Sequence, residues 1–167
     1  AEIGVNHGGD LDLAKKLVDL AKEGGANAAK FQTYKAKTIA SKNSPSYWDI
    51  TKEKTKSQYE LFLKYDSFGE KEYFILHDHC KENEIDFIST PFDHFSVEFL
   101  DDILPFYKIS SSDITNIPLL ELISTKNKPI ILSTGASSIQ EIDFALTKME
   151  AAGANEIALL HCILNYP

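Results

Sequence analysis

Six short runs of apolar residues recur along the chain, at 1–5, 28–32, 85–89, 106–110, 129–133 and 157–162. Each is nearly continuous in apolar side chains and ends on polar or glycine residues. Strands buried on both faces of a parallel sheet read this way. Between the runs the apolar positions switch to helical spacing. Segment 10–23 places Leu13, Leu17, Leu20 and Ala21 on one face, and 138–152 does the same with Ile142, Ala145, Leu146 and Met149. Ser138 and Glu141 have the spacing of a capping box at the start of that second helix. Further helices are expected at 70–83, 95–102 and 119–125. The βα order repeats, which defines an α/β protein.

Two joints repeat as well. EGGANAAKF (23–31) and EAAGANEIAL (150–159) both run from a helix end through Gly-Ala-Asn into a strand. Glycine stops the helix and the short link drops the chain into the sheet. Recurrence of one joint points to equivalent units round a barrel. One segment breaks the rhythm. Residues 34–68 are rich in Lys, Ser and Thr and contain Pro45 and Trp48, with a short helix expected at 57–63. A connection of that length in a compact domain reads as a lid or binding loop.

Composition narrows the function classes. The chain has 167 residues, 43% hydrophobic and 25% charged, with a net charge of −8. That balance suits a soluble globular domain and argues against nucleic-acid binding, which needs a basic surface. No apolar run approaches the ~20 residues of a membrane span, and AEIGVNHGGD lacks the apolar centre of a signal peptide. Cys80 and Cys162 are far apart and are expected as free thiols in a reducing, cytoplasmic setting.

The candidate chemistry lies where the strands end. Strand one carries Glu2 and ends in Asn6 and His7. Strand two ends in Lys30, Gln32 and Thr33, strand three in Ser89, Thr90 and Asp93. Strand four ends in Lys108, Ser110, Ser111, Ser112 and Asp113, strand five in Ser133, Thr134 and Gly135. Strand six ends in His161, Asn165 and Tyr166. In α/β folds ligands bind at that end. Lysines, hydroxyls and turn N–H groups suit a phosphate or carboxylate, and a nearby carboxylate such as Glu2 can do acid–base work. Any single Ser or Thr there serves equally well as a helix N-cap. Lys30 and Lys108 inside apolar strands are harder to explain structurally, because a buried lysine needs a partner. Glu2, equally costly if unpaired, reads as an ion-pair partner of Lys30 or Lys108, or as a catalytic carboxylate. His77 and His79 in HDHC are two apart and point to different helix faces, unlike zinc ligands at i, i+4. His7 and His161 stand as site candidates or as satisfied core histidines. His94 is expected to begin a helix.

Taken together, AEIGVNHGGD, KFQTYKA, STPFD, KISSSDITNIPLL, ILSTGASS and LLHCILNYP resemble the N-acylneuraminate (sialic acid) synthase family, with its legionaminic and pseudaminic acid synthases and spore-coat polysaccharide relatives. The resemblance implies a (β/α)8 TIM barrel. Since such a barrel needs ~250 residues, 1–167 would supply about six of its eight βα units. The remaining strands and the family's C-terminal antifreeze-like domain lie outside these residues. The resemblance also implies condensation of phosphoenolpyruvate with an N-acylated amino sugar, N-acetylmannosamine or a 6-deoxy diacetamido sugar, with release of phosphate. A divalent cation, Mn²⁺ or Mg²⁺, would polarise the sugar aldehyde, its ligands lying outside this chain, so no metal ligand is assigned here. Matching positions make Lys30, Thr90, Lys108, Ser111 and Ser133 phosphoenolpyruvate ligands. Gln32, Asp113 and Tyr166 would face the sugar, and Glu2 would be the catalytic carboxylate. Ile163-Leu164-Asn165 departs from the family pattern, where a hydroxyl or amide helps hold phosphate. The full-length family pairs as a homodimer, and these 167 residues by themselves are expected to be inactive. Two other readings remain: a Schiff-base aldolase using Lys30 or Lys108 as nucleophile, and a truncated, non-catalytic barrel module.

Overall fold

The computed structural model describes residues 1–164. The elements run β1 (Glu2–Gly4), α1 (Leu11–Glu23), β2 (Ala28–Thr33), α2 (Ala36–Ile39), α3 (Gln58–Tyr65), α4 (Glu70–Glu82), β3 (Asp86–Pro91), α5 (His94–Leu100), β4 (Tyr107–Ile109), a 3-10 turn (Ser111–Asp113), α6 (Ile117–Ser124), β5 (Ile130–Ser133), α7 (Ile139–Ala151) and β6 (Ile157–Leu160). The expected βα alternation is present throughout. The chain divides into two compact units, Ala1–Phe87 and Ile88–Pro167.

In the first unit β1 and β2 are parallel, and β3, whose first two residues belong to this unit, follows them in the sheet order β1-β2-β3. Strand β2 alternates: Ala29, Phe31 and Thr33 are buried, while Ala28, Lys30 and Gln32 are half-buried. Successive side chains point to opposite faces, so Lys30 and Gln32 share a face that the expected two-sided burial did not distinguish. Helix α1 begins at Asp10, whose carboxylate accepts from the N–H groups of Asp12 (2.9 Å) and Leu13 (3.0 Å). Its buried line is Ala14 and Val18, whereas Leu13 and Leu20 remain 41% and 50% exposed. That corrects the leucine face expected above. Small side chains let a helix approach its neighbours most closely, so Ala and Val take the contact line and the leucines flank it. Aromatic rings fill the middle: Phe31 stacks on Phe87 (5.6 Å), and Phe68 meets Tyr73 edge-on (6.0 Å).

In the second unit β4, β5 and β6 form a parallel sheet, with Tyr107 opposite Ile130 and Ile130 opposite Ile157. Its core includes Tyr107, Ile109, Leu119, Ile123, Leu132 and Met149. The capping box of α7 is present, with Ser138 Oγ accepting from the Glu141 N–H and Glu141 Oε2 accepting from the Ser138 N–H. Strand β6 differs from expectation. Among the described residues it has one sheet neighbour, β5, and Leu159 and Leu160 stay 46% and 42% exposed.

Candidate functional site

Two clusters of the expected residues form, one in each unit. In the first, Glu2 Oε2 and Lys30 Nζ make an ion pair, so of the two pairings open to Glu2 the chain uses Lys30. The pair is not deeply buried: the side chain of Glu2 is 52% exposed. An ion pair that accessible contributes at most about 1 kcal/mol to stability, too little to account by itself for a charge in each of two adjacent strands. Gln32 lies on the Lys30 face of β2, and its backbone carbonyl accepts from the Tyr73 hydroxyl at 2.8 Å. That bond holds the strand end in place from α4.

In the second unit Lys108 emerges between the buried Tyr107 and Ile109 and donates to Ser133 Oγ (2.6 Å) and to the Ile109 carbonyl (2.8 Å). Its ammonium thus bridges the ends of two adjacent strands. Ser111 Oγ accepts from the Gly135 N–H at 2.9 Å. A Cβ at Gly135 would sit 3.1 Å from that oxygen and 2.8 Å from Leu164 Cγ, so the glycine lets the two loops touch. Ser111, Ser133 and Thr90 are 6%, 7% and 4% exposed. Asp113 closes the turn after Ser111, where Oδ1 accepts from Asn116 Nδ2 (3.3 Å) and Oδ2 from Ser112 Oγ (3.2 Å). Burial raises the Asp113 carboxyl above its ordinary range, against the opposing effect of those two hydrogen bonds. A half-buried carboxylate with incomplete neutral partners is suited to receive a donor from a ligand. Lysine and hydroxyls at strand ends, with N–H groups nearby, bind a phosphate or carboxylate by charge-assisted bonds.

Other strand-end residues do structural work. The Asp93 carboxylate caps α5 by accepting from the Ser96 N–H at 2.7 Å, and Ser110 Oγ accepts from Ser112 at the start of the 3-10 turn. His7 is a core histidine at 1% exposure, stacked 4.2 Å from Phe68, with Nδ1 accepting from the Gly9 N–H. Burial lowers its pKa, and Asp10 offsets this only in part. His161 is exposed. His79 bonds Asp19 across to α1 at 2.7 Å, while His77 lies beside Asp78. The two histidines therefore face different carboxylates. His94 opens α5, as expected. Both cysteines are free thiols. Tyr166, expected on the sugar, and Asn165, in the departing turn, lie outside the described residues. Asn116 and Gly4 were not singled out from the sequence. Asn116 carried a signal, since it stands three residues after Asp113, but the role of Gly4 depends on the register of β1.

Parallel strands alternating with helices define an α/β protein, and in each unit strand ends carry a lysine beside a carboxylate or hydroxyls. The comparisons with known proteins give the family. A profile described as the NeuB family matches residues 17–167, and the chain belongs to that family. It is 44% identical to an N,N'-diacetyllegionaminic acid synthase of Campylobacter jejuni, over the whole of this chain and 51% of that protein. It is 40% identical to the protein of the same name from Legionella pneumophila, covering 49% of it. Among solved structures, an N-acetylneuraminic acid (sialic acid) synthetase from Leptospira borgpetersenii, in complex with citrate, matches with a TM-score of 0.82 at 34% identity. The match covers all of this chain and 54% of that one. The chain thus spans about half the length of the relatives it matches.

Proposed function

We propose that the protein containing these residues condenses phosphoenolpyruvate with an N-acylated amino sugar to give a nonulosonate and inorganic phosphate, and that 1–167 form part of a (β/α)8 catalytic barrel. The observation that carries the reading is the Lys108–Ser133 bridge beside the Ser111–Gly135 contact, within a chain of the NeuB family. Lys108, Ser111, Ser133 and Thr90 in the second unit, and Lys30 in the first, are the proposed ligands of the phosphate and carboxylate of phosphoenolpyruvate. Asp113 and Gln32 would accept from and donate to sugar hydroxyls, as would Tyr166. Glu2, one oxygen of which is held by Lys30, keeps Oε1 to take a proton from the water that adds to the enolpyruvate carbon, or to stabilise positive charge developing there. The divalent cation implied by the family resemblance has no fitting donor set here. Among the described residues there is no group of three His, Cys, Asp or Glu able to hold an ion. No step is therefore assigned to a metal held by this chain.

The test is phosphoenolpyruvate binding to the full-length protein by isothermal titration. Lys108→Ala is expected to weaken binding by at least tenfold, because it removes a cation from a partly desolvated site. Lys15→Ala on α1 is expected to leave it unchanged. Equal affinity in the Lys108 variant would remove Lys108 from the site.

A further inference from the structure

Gly4 sits in β1 with φ +55°, the left-handed region that suits glycine. The register slips at this point. Glu2 pairs with Lys30 and Gly4 with Phe31, so three residues of β1 face two of β2. One extra residue in a ladder is a β-bulge, a device that re-aims side chains. What surrounds the bare α-carbon is specific. A Cβ there would lie 3.3 Å from Glu2 Oε1, 3.7 Å from Gln32 Nε2 and 3.8 Å from Gln32 Cδ. Its nearest neighbours are thus two functional side chains and no backbone. Lys30 engages the other oxygen of Glu2. Among the described residues Glu2 Oε1 and Gln32 Nε2 have no hydrogen-bond partner. An acceptor and a donor therefore stand together over a hydrogen atom.

We propose that Gly4 is a positioning residue: the bulge and the missing side chain let the Glu2 carboxylate and the Gln32 amide converge as an acceptor–donor pair for a water or a substrate hydroxyl. This rests on the proposed function, which gives the pair its role, but the placement is a property of the chain. A Cβ at position 4 would crowd Glu2 Oε1, forcing it to shift by a few tenths of an ångström, and would fill the space between it and Gln32, which it meets at ordinary contact distance. Gly8 offers a matched comparison. It has φ +58°, and a Cβ there would meet nothing within 4 Å. Alanine at position 8 therefore carries the same backbone strain without touching the pair.

The experiment compares Gly4→Ala and Gly8→Ala in the full-length, metal-loaded protein. Both are expected to lose thermal stability by similar amounts. Gly4→Ala is expected to lower kcat tenfold or more with phosphoenolpyruvate affinity within twofold of wild type, and Gly8→Ala to keep kcat within twofold. In a Gln32→Ala background, which vacates one wall, adding Gly4→Ala is expected to cost less than in the wild type, because residues acting as a unit are non-additive. Equal kcat for the two glycine variants, or additive losses in the cycle, would overturn the inference. So would failure of both Gly4 variants to fold where Gly8→Ala folds, since glycine would then serve the fold alone. A crystal structure of Gly4→Ala reads the placement without activity, and Glu2 and Gln32 left unmoved would overturn it too. If they move but the wild type turns over no amino sugar, the proposed function fails and the placement stands.

Discussion

At the scale of single residues, Asp113 carries a carboxyl whose burial bears on stability. Burial raises its pKa, so the folded protein holds the proton more tightly than the unfolded chain does. Its favourable contribution is present below the unfolded value of about 3.9 and is lost as pH rises through the folded value. At neutral pH the ionised carboxylate is therefore a net cost. Asp113→Asn is expected to raise Tm at pH 7, and the gain should vanish as the pH approaches 4. Sugar affinity should fall at the same time if Asp113 faces that substrate. Melting curves of the two proteins across pH check the first claim, and a gain that persists undiminished at pH 4 contradicts it. What the sequence revealed at this scale was uneven. The lysines were visible because a cation in an apolar strand is anomalous wherever it sits. The strand-end polar groups were not separable, because Ser110 and Asp93 cap turns within three residues whereas Ser111 bonds Gly135, 24 residues away. Local and non-local partners look alike in one dimension.

At the scale of elements, the same distinction decides what was legible. The α7 capping box is contained within one turn and forms as read, and the Asp10 cap of α1, equally local, forms although it was not singled out. The buried side of α1 depends on what it packs against, and the leucine stripe gave the wrong face. The short helix α2 and the bulge in β1 had no periodic signal at all. The long connection 34–68 is tied at its base. Lys35 Nζ donates to the carbonyls of Asp66 (2.5 Å) and Phe68 (2.7 Å), and the Asp66 carboxylate accepts from the Ala36 N–H (2.8 Å). Hydrogen bonds from a charged donor are worth about 1.5–3 kcal/mol each. Lys35→Met is expected to open this base, with proteolytic cleavage inside 41–57 accelerating at least tenfold while the global Tm falls by only a few degrees. Unchanged cleavage would show that the ties do not control the connection.

At the scale of the whole molecule, the described residues leave apolar side chains exposed along and after β6. Leu159, Leu160, Ile163 and Leu164 are 46%, 42%, 74% and 47% exposed along and after β6. A parallel strand with unpaired N–H and C=O groups and apolar side chains recruits other chains. Expressed alone, these residues are expected to bind a hydrophobic dye and to elute above monomer size, whereas the full-length protein should do neither. Monomeric, dye-negative behaviour of 1–167 would show that β6 is not a sticky edge. The net charge of −8 opposes this association only weakly at physiological salt, where exposed charges are screened beyond about 8 Å.

The ties at Lys35 and Asp66 have a further consequence. They bring the two ends of the intervening stretch together before any of its interior is specified. Closure entropy grows only slowly with length, so the stretch can lengthen, shorten or change composition while Lys30, Gln32 and Tyr73 stay where they are. Residues 37–65 therefore behave as an exchangeable cassette on a fixed socket. A lineage can rewrite the cassette alone, and an engineer can transplant one from a relative by preserving the lysine, the aspartate and the phenylalanine that clasp it.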